Sequence, residues 1–150
     1  MRTFKTLAEL ADCVGQEVAV SDWMPVTQPM IQQFADATGD HQWIHLDAAR
    51  AKAGPFGSTI AHGFLTLSMI PAFAHSAYAV EDIRMGVNYG LNKVRFTAPV
   101  PVGSRLRGRM KLLSAEPIEG GRQLCWQVTI EREGSDKPVC VAETIARSFV

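Results

Sequence analysis

The stretch Ser58-Thr59-Ile60-Ala61-His62-Gly63-Phe64-Leu65-Thr66-Leu67-Ser68-Met69-Ile70-Pro71-Ala72-Phe73-Ala74-His75-Ser76-Ala77-Tyr78 decides how this chain folds. It sits inside a longer run, residues 53–80, that contains no Asp, Glu, Lys or Arg. A helix that is apolar nearly all round is enclosed by the rest of its protein. Gly54, Pro55, Gly57, His62, Pro71 and His75 interrupt the run, and residues 63–74 are too few to cross a bilayer. The segment therefore reads as a buried central helix, kinked at Pro71, and not as a membrane span.

The flanks are of two kinds. Residues 6–14 carry Leu7, Leu10, Ala11 and Val14 at helical spacing, with Gly15 placed to stop them. Residues 17–26 alternate loosely, as a strand. Thr27 is placed as an N-cap, with Pro29 in the first turn and Met30, Ile31, Phe34 and Ala37 on one face up to Gly39. Residues 40–57 read as an ordered excursion, with a turn of helix around 48–53. After the central segment come four strand-like runs, 85–99, 104–117, 122–133 and 138–149, joined by turns at Glu119-Gly120-Gly121 and Gly134-Ser135-Asp136-Lys137. A helix-rich first half and an antiparallel second half predict one α+β domain, a long helix lying on a curved antiparallel sheet.

Composition narrows the function. A chain of 150 residues with 47% hydrophobic content has room for one domain and one core. Fifteen basic and fifteen acidic residues cancel, which excludes the strongly basic balance of a nucleic-acid binder. Arg105, Arg107, Arg109 and Lys111 alternate along one run; they read as a solvated strand face or as a basic rim for a phosphate-bearing ligand. Cys13, Cys125 and Cys140 form no disulfide framework, and no CxxC is present. With no signal-peptide core at the N-terminus, a reduced, cytoplasmic protein is expected.

The chemistry concentrates in two places. Asp40 lies five residues before His45, just past the Gly39 stop, and His62-Gly63 follows seventeen residues later. A carboxylate beside an imidazole can hold a water and move its protons. A glycine heading a buried helix can offer its N–H to an oxyanion. Asp40 alone also reads as a turn carboxylate, His45 as a half-buried histidine, and Gly63 as a site of close helix packing. His62 is either a structural helix-start residue or part of a substrate site. Asn92 is either a substrate contact from the sheet or a strand-edge amide. Asp40, His41 and His45 raise a metal site, but no further ligand cluster accompanies them. Trp43 and Phe56 either line a channel or pack the excursion.

The order of elements, together with Gly39-Asp40-His41-Gln42-Trp43-Ile44-His45, resembles the MaoC-like dehydratases, or (R)-specific enoyl-CoA hydratases, and within them the nodulation protein N branch. The family motif runs aromatic, small, Gly, Asp, variable, Asn, Pro, aliphatic, His. Phe34, Gly39-Asp40 and Ile44-His45 match it, while Gln42-Trp43 replaces the usual Asn-Pro. His62-Gly63 matches the start of the family's central helix, and Val94-Arg95-Phe96-Thr97-Ala98-Pro99 a later strand motif.

The resemblance implies a single hot-dog domain spanning residues 1–150, with the long helix wrapped by the sheet. It implies Asp40 and His45 as the catalytic pair, with Gly63, His62 and Asn92 about the substrate. No metal or other cofactor is expected. The implied substrate is an acyl-CoA thioester and the implied assembly a homodimer, with neither nucleic acid nor membrane as a partner. In some relatives a serine farther along the helix assists; its counterpart is Pro71, so that role is not carried over. The alternatives are a hot-dog thioesterase, disfavoured because the central segment lacks the carboxylate that would activate water, and a non-catalytic binder of acyl-CoA or acyl-carrier protein.

Overall fold

A six-stranded sheet curls around one kinked helix in the computed structural model, which describes all of residues 1–150. In chain order the elements are β1 (Arg2–Phe4), α1 (Leu7–Ala11), β2 (Glu17–Val20), β3 (Met24–Pro25), α2 (Gln28–Thr38), α3 (Trp43–Leu46), α4 (Ala48–Lys52), α5 (Gly63–Ser68), α6 (Ile70–Ala77), β4 (Tyr78–Val80), β5 (Met85–Arg95), β6 (Arg105–Ile118), β7 (Gly121–Arg132) and β8 (Cys140–Phe149). The main sheet runs β2-β6-β7-β8-β5, all antiparallel, with β3 also on β6. This is the expected α+β architecture.

Local chemistry accounts for the helix ends. Thr27 caps α2 by accepting the Met30 N–H, Pro29 occupies the first turn, and Gly39 closes the helix at φ 80°. That left-handed conformation suits glycine. Thr6 caps α1 in the same way, but α1 ends at Ala11, earlier than the periodicity predicts. The strand predicted over 17–26 is two, broken where Ser21 turns inward and its Oγ accepts the Gly108 N–H at 2.9 Å. The predicted turn of helix in the excursion is α4. The preceding turn α3, and the parallel ribbon of β1 with β4, whose strands are three residues each, have no counterpart in the sequence pattern.

The central helix is α5 followed by α6, with Met69 between them. Pro71 has no N–H to give to the preceding turn, and it disfavours helical geometry at Ile70. The break is mild, because Phe73 N–H still reaches the Met69 carbonyl at 3.0 Å. Enclosure is one-sided. Leu65, Thr66, Met69, Phe73 and Ala77 are buried, whereas Phe64, Ser68 and Ala72 form an exposed stripe. The helix rests on the inner sheet face of Leu106, Met110, Leu112, Leu124, Trp126, Val128 and Ile130. It comes closest at Gly108, where a Cβ would meet the Phe73 Cβ at 3.0 Å.

The opposite face of β6 carries the basic alternation. Arg105 pairs with Glu133, Arg107 with Glu131 at 2.7 Å, and Arg109 with Glu17 at 2.8 Å. These guanidinium groups form a cross-strand ion-pair ladder turned away from the central helix, so the phosphate-rim reading gives way to the solvated-face one. No helix is long and apolar enough to cross a membrane.

Candidate active site

Three segments converge at the N-terminal end of α5: the turn after α2, helix α3, and the strand-like approach to Gly63. Gln42-Trp43 makes the turn without Asn-Pro. The Asp40 carboxylate accepts the Gln42 N–H at 3.3 Å, and α3 begins at the next residue. Trp43 packs on the excursion itself, with its ring beneath the Arg50 guanidinium and against Gly54. Phe56 stays half exposed.

His45 is buried, and its Nδ1 lies 2.7 Å from the Ile60 carbonyl. A carbonyl only accepts, so Nδ1 carries the proton and Nε2 presents a lone pair. Burial pushes the imidazole below its ordinary value of 6.5. The bond to Ile60 opposes that shift, His62 adds to it, and Asp40 opposes it. The net result is a ring that is neutral near pH 7 and basic at Nε2.

His62 is buried too, and it donates its Nε2–H to the Asp40 main-chain carbonyl at 3.0 Å. Its ring stacks on His45 with centroids 3.7 Å apart and planes 24° apart. One donor atom each from Asp40, His45 and His62 all lie within 4.8 Å of one another. The Asp40 side chain is exposed and faces solvent at the mouth of the group.

Such a set invites a metal, but the geometry is that of a stack and not of a chelate. Planes inclined at only 24° meet far beyond the ~2 Å reach of a zinc–imidazole bond, so no one ion lies in both.

Gly63 is the first residue of α5, and the first intrahelical bond runs from Thr66 N–H to the His62 carbonyl. The Gly63 N–H precedes that bond and has no acceptor within its helix. A Cβ at Gly63 would stand 2.9 Å from Phe96 Cδ2, so the close-packing reading also holds.

Asn92 does not join the group. Its amide donates to Glu143 at 2.7 Å beside Cys125, on the sheet face away from the helix, because the bulge between Leu91 and Lys93 turns it outward. His41 pairs with Asp36 at the surface and faces neither His45 nor His62. Burial pushes the thiols of Cys125 and Cys140 up to about 11, so neither presents a thiolate near neutral pH.

Gln28 is a residue that sequence reasoning missed. Its amide donates to the His45 carbonyl at 2.8 Å and accepts the Thr59 hydroxyl at 2.7 Å, so it holds the main chain of α3. Its partners are 17 and 31 residues away, and no local pattern marks such a link.

Two cavities run between the central helix and strands β5 and β8, and neither is lined by Asp40, His45, His62 or Gly63. The first, of about 360 Å³, begins at Leu67, one turn beyond Gly63. The second, of about 490 Å³, extends past Ala74 to Tyr78 and Trp126. They share Ile70, Pro71, Asn88, Thr144 and Ala146.

The fold and the sequence define a dehydratase of the MaoC type. The sequence profile of the MaoC-like domain matches residues 9–132, and the chain belongs to that family of lyases. Among its relatives, 3-hydroxyacyl-thioester dehydratase Z of Mycobacterium tuberculosis is 55% identical over 148 residues, covering 98% of both chains. Nodulation protein N of Rhizobium leguminosarum is 45% identical over 144 residues, covering 93% of this chain and 89% of that one. An unliganded R-hydratase of Pseudomonas aeruginosa superposes with a TM-score of 0.74 at 27% identity, covering 95% of this chain and 84% of that one.

Proposed function

We propose that the protein catalyses the reversible, (R)-specific hydration of a trans-2-enoyl-CoA to a (R)-3-hydroxyacyl-CoA. The observation that carries this reading is the free lone pair on His45 Nε2, on a buried ring kept neutral and within 4.8 Å of the Asp40 donor atom. A water held between the two loses a proton as its oxygen bonds to C3, and a proton arrives at C2. The C2=C3 double bond becomes single, and the thioester C–S bond stays intact. The two proton steps are assigned to Asp40 and His45 together, as a pair. Negative charge developing on the thioester oxygen is met by the Gly63 N–H; one such donor is typically worth about 2.7–4 kcal/mol of barrier. Adding water changes no oxidation state overall, so the reaction balances with neither redox cofactor nor metal.

The relatives named above support the substrate class. The mostly apolar cavities beside α5 and α6, which begin at Leu67 one turn beyond Gly63, have room for an acyl chain. The central helix carries no carboxylate, which disfavours hydrolysis. A second copy completes the proposal. β5 is an eleven-residue edge strand, exposed along nearly its whole length, with Met85, Val87, Tyr89 and Leu91 all exposed. A long apolar edge with open backbone groups invites pairing, and a homodimer through β5 satisfies it. Three unpaired thiols suit a reducing cytoplasm.

The test uses crotonyl-CoA. Loss of the enoyl absorbance without thiol release, giving the (R)-alcohol, is expected. Asp40→Asn and His45→Gln should each lower kcat by about 10²–10⁴-fold while near-UV circular dichroism stays unchanged. Thiol release would point to a thioesterase, and saturable binding with no turnover to a carrier-binding module.

A further inference from the structure

We infer that His62 is a positioning residue for the catalytic pair: its Nε2–H clamps the Asp40 main chain while its ring face seats the His45 imidazole. The inference rests on the hydratase reading of that pair.

Asp40 needs an external hold. It follows Gly39 at φ 80°, its side chain is exposed, and its carboxylate bonds only within its own turn, to Gln42. The bond from His62, 22 residues away, ties this turn to the central helix. The same imidazole lies face to face with His45 at 3.7 Å. Phe34 closes its remaining side, tilted, with centroids 4.9 Å apart. One side chain, 2% exposed, thus registers both members of the pair against each other.

The other ring nitrogen shows that this is more than packing. In the neutral ring, an Nε2–H donating to a carbonyl leaves Nδ1 as the unprotonated nitrogen. It is buried with no protein partner. An unpartnered buried acceptor lowers stability, and an apolar ring of the same shape would avoid that cost. What the apolar ring would lose is the donor to Asp40. Holding reacting groups in register matters because a displacement of about 1 Å can cost ~10²-fold in rate.

Two variants separate the donor from the ring. His62→Phe keeps an aromatic face and removes the N–H; His62→Gln keeps an amide N–H near the Nε2 position and removes the face. With crotonyl-CoA, His62→Phe should lower kcat by about tenfold or more at a KM within ~2-fold, and His62→Gln should recover part of the loss. A space-filling role predicts the reverse order, with His62→Phe at wild-type kcat and raised thermal stability, and that result would overturn the inference. A readout free of both activity and mutation is the long-range 1H–15N spectrum of the wild-type imidazoles. It should show His62 as the Nε2–H tautomer and His45 as the Nδ1–H tautomer. An Nδ1–H tautomer at His62 removes the clamp even if neither variant folds. If the wild type hydrates no thioester, the hydratase reading fails, and the tautomer spectrum still decides whether His62 holds Asp40.

Discussion

The ring of Phe96 lies directly over Gly63, so close that a Cβ built on the glycine would stand 2.9 Å from Cδ2 and 3.0 Å from Cγ. The two residues belong to different parts of the chain, one heading the central helix and the other just past the end of β5. Phe96 in turn meets Phe64 edge to face, with centroids 5.8 Å apart. The helix therefore begins beneath an aromatic ring that any side chain at position 63 would have to displace.

Gly63→Ala should destabilise the fold by about 1–3 kcal/mol through this overlap. Adding Phe96→Ala should remove most of that cost, so the two changes couple by about 0.5–3 kcal/mol in a double-mutant cycle of urea unfolding. Strict additivity would show that the ring does not constrain the glycine.

The pH dependence follows from His45. Burial disfavours its imidazolium, so its folded pKa lies below 6.5. The neutral ring is the base, so kcat/KM should rise through that lowered value and be level by neutral pH. An acid limb centred above 6.5 would contradict the burial argument. For stability, the unfolded chain takes up its proton first as pH falls. The His45 contribution is then complete above 6.5 and lost as pH drops through the folded value. His41 acts in the opposite sense: Asp36, by hydrogen bond first, raises its pKa. That exposed contact stabilises below 6.5 and fades as pH rises through the raised value. A His41→Gln background therefore isolates the His45 limb.

Gly108→Ala should cost about 1–3 kcal/mol by thermal unfolding, because the new methyl meets Phe73, which is fully buried and has nowhere to move. Gly86→Ala is the control. It also lies in the sheet, but a Cβ there meets nothing within 4 Å, so its unfolding midpoint should stay close to wild type.

Val87→Lys with Leu91→Lys places two charges on the β5 edge, where Val87 is 41% and Leu91 48% exposed. If that edge joins two copies, sedimentation velocity should show the wild type as a dimer and the double variant as a monomer. An unaltered dimer would move the interface elsewhere on the molecule.

Much of this protein was legible in the chain. Thr27, Pro29 and Gly39 mark α2 at both ends because capping and left-handed closure are local acts of single residues. Residues 85–149 show their strands through alternation, and Pro71 shows the break in the central helix. The pairing of Asp40 with His45 was legible because a short turn and one turn of helix keep them near each other. The ribbon of β1 with β4 was not, since two three-residue strands have too little pattern to see.

The sequence by itself determined the element types, the kink, the short-range pair and the family resemblance, all of which depend on neighbours a few residues apart. Tertiary structure decided the rest. It turned Asn92 outward through a bulge whose place depends on β8. It engaged the arginines of β6 with glutamates on β2, on β7 and just past the end of β7. It also made His62 a partner of both Asp40 and His45, and it set the tautomer of His45 through the carbonyl of Ile60. Those outcomes rest on hydrogen bonds and ring contacts between residues distant in sequence, which exist only once the chain has closed on itself.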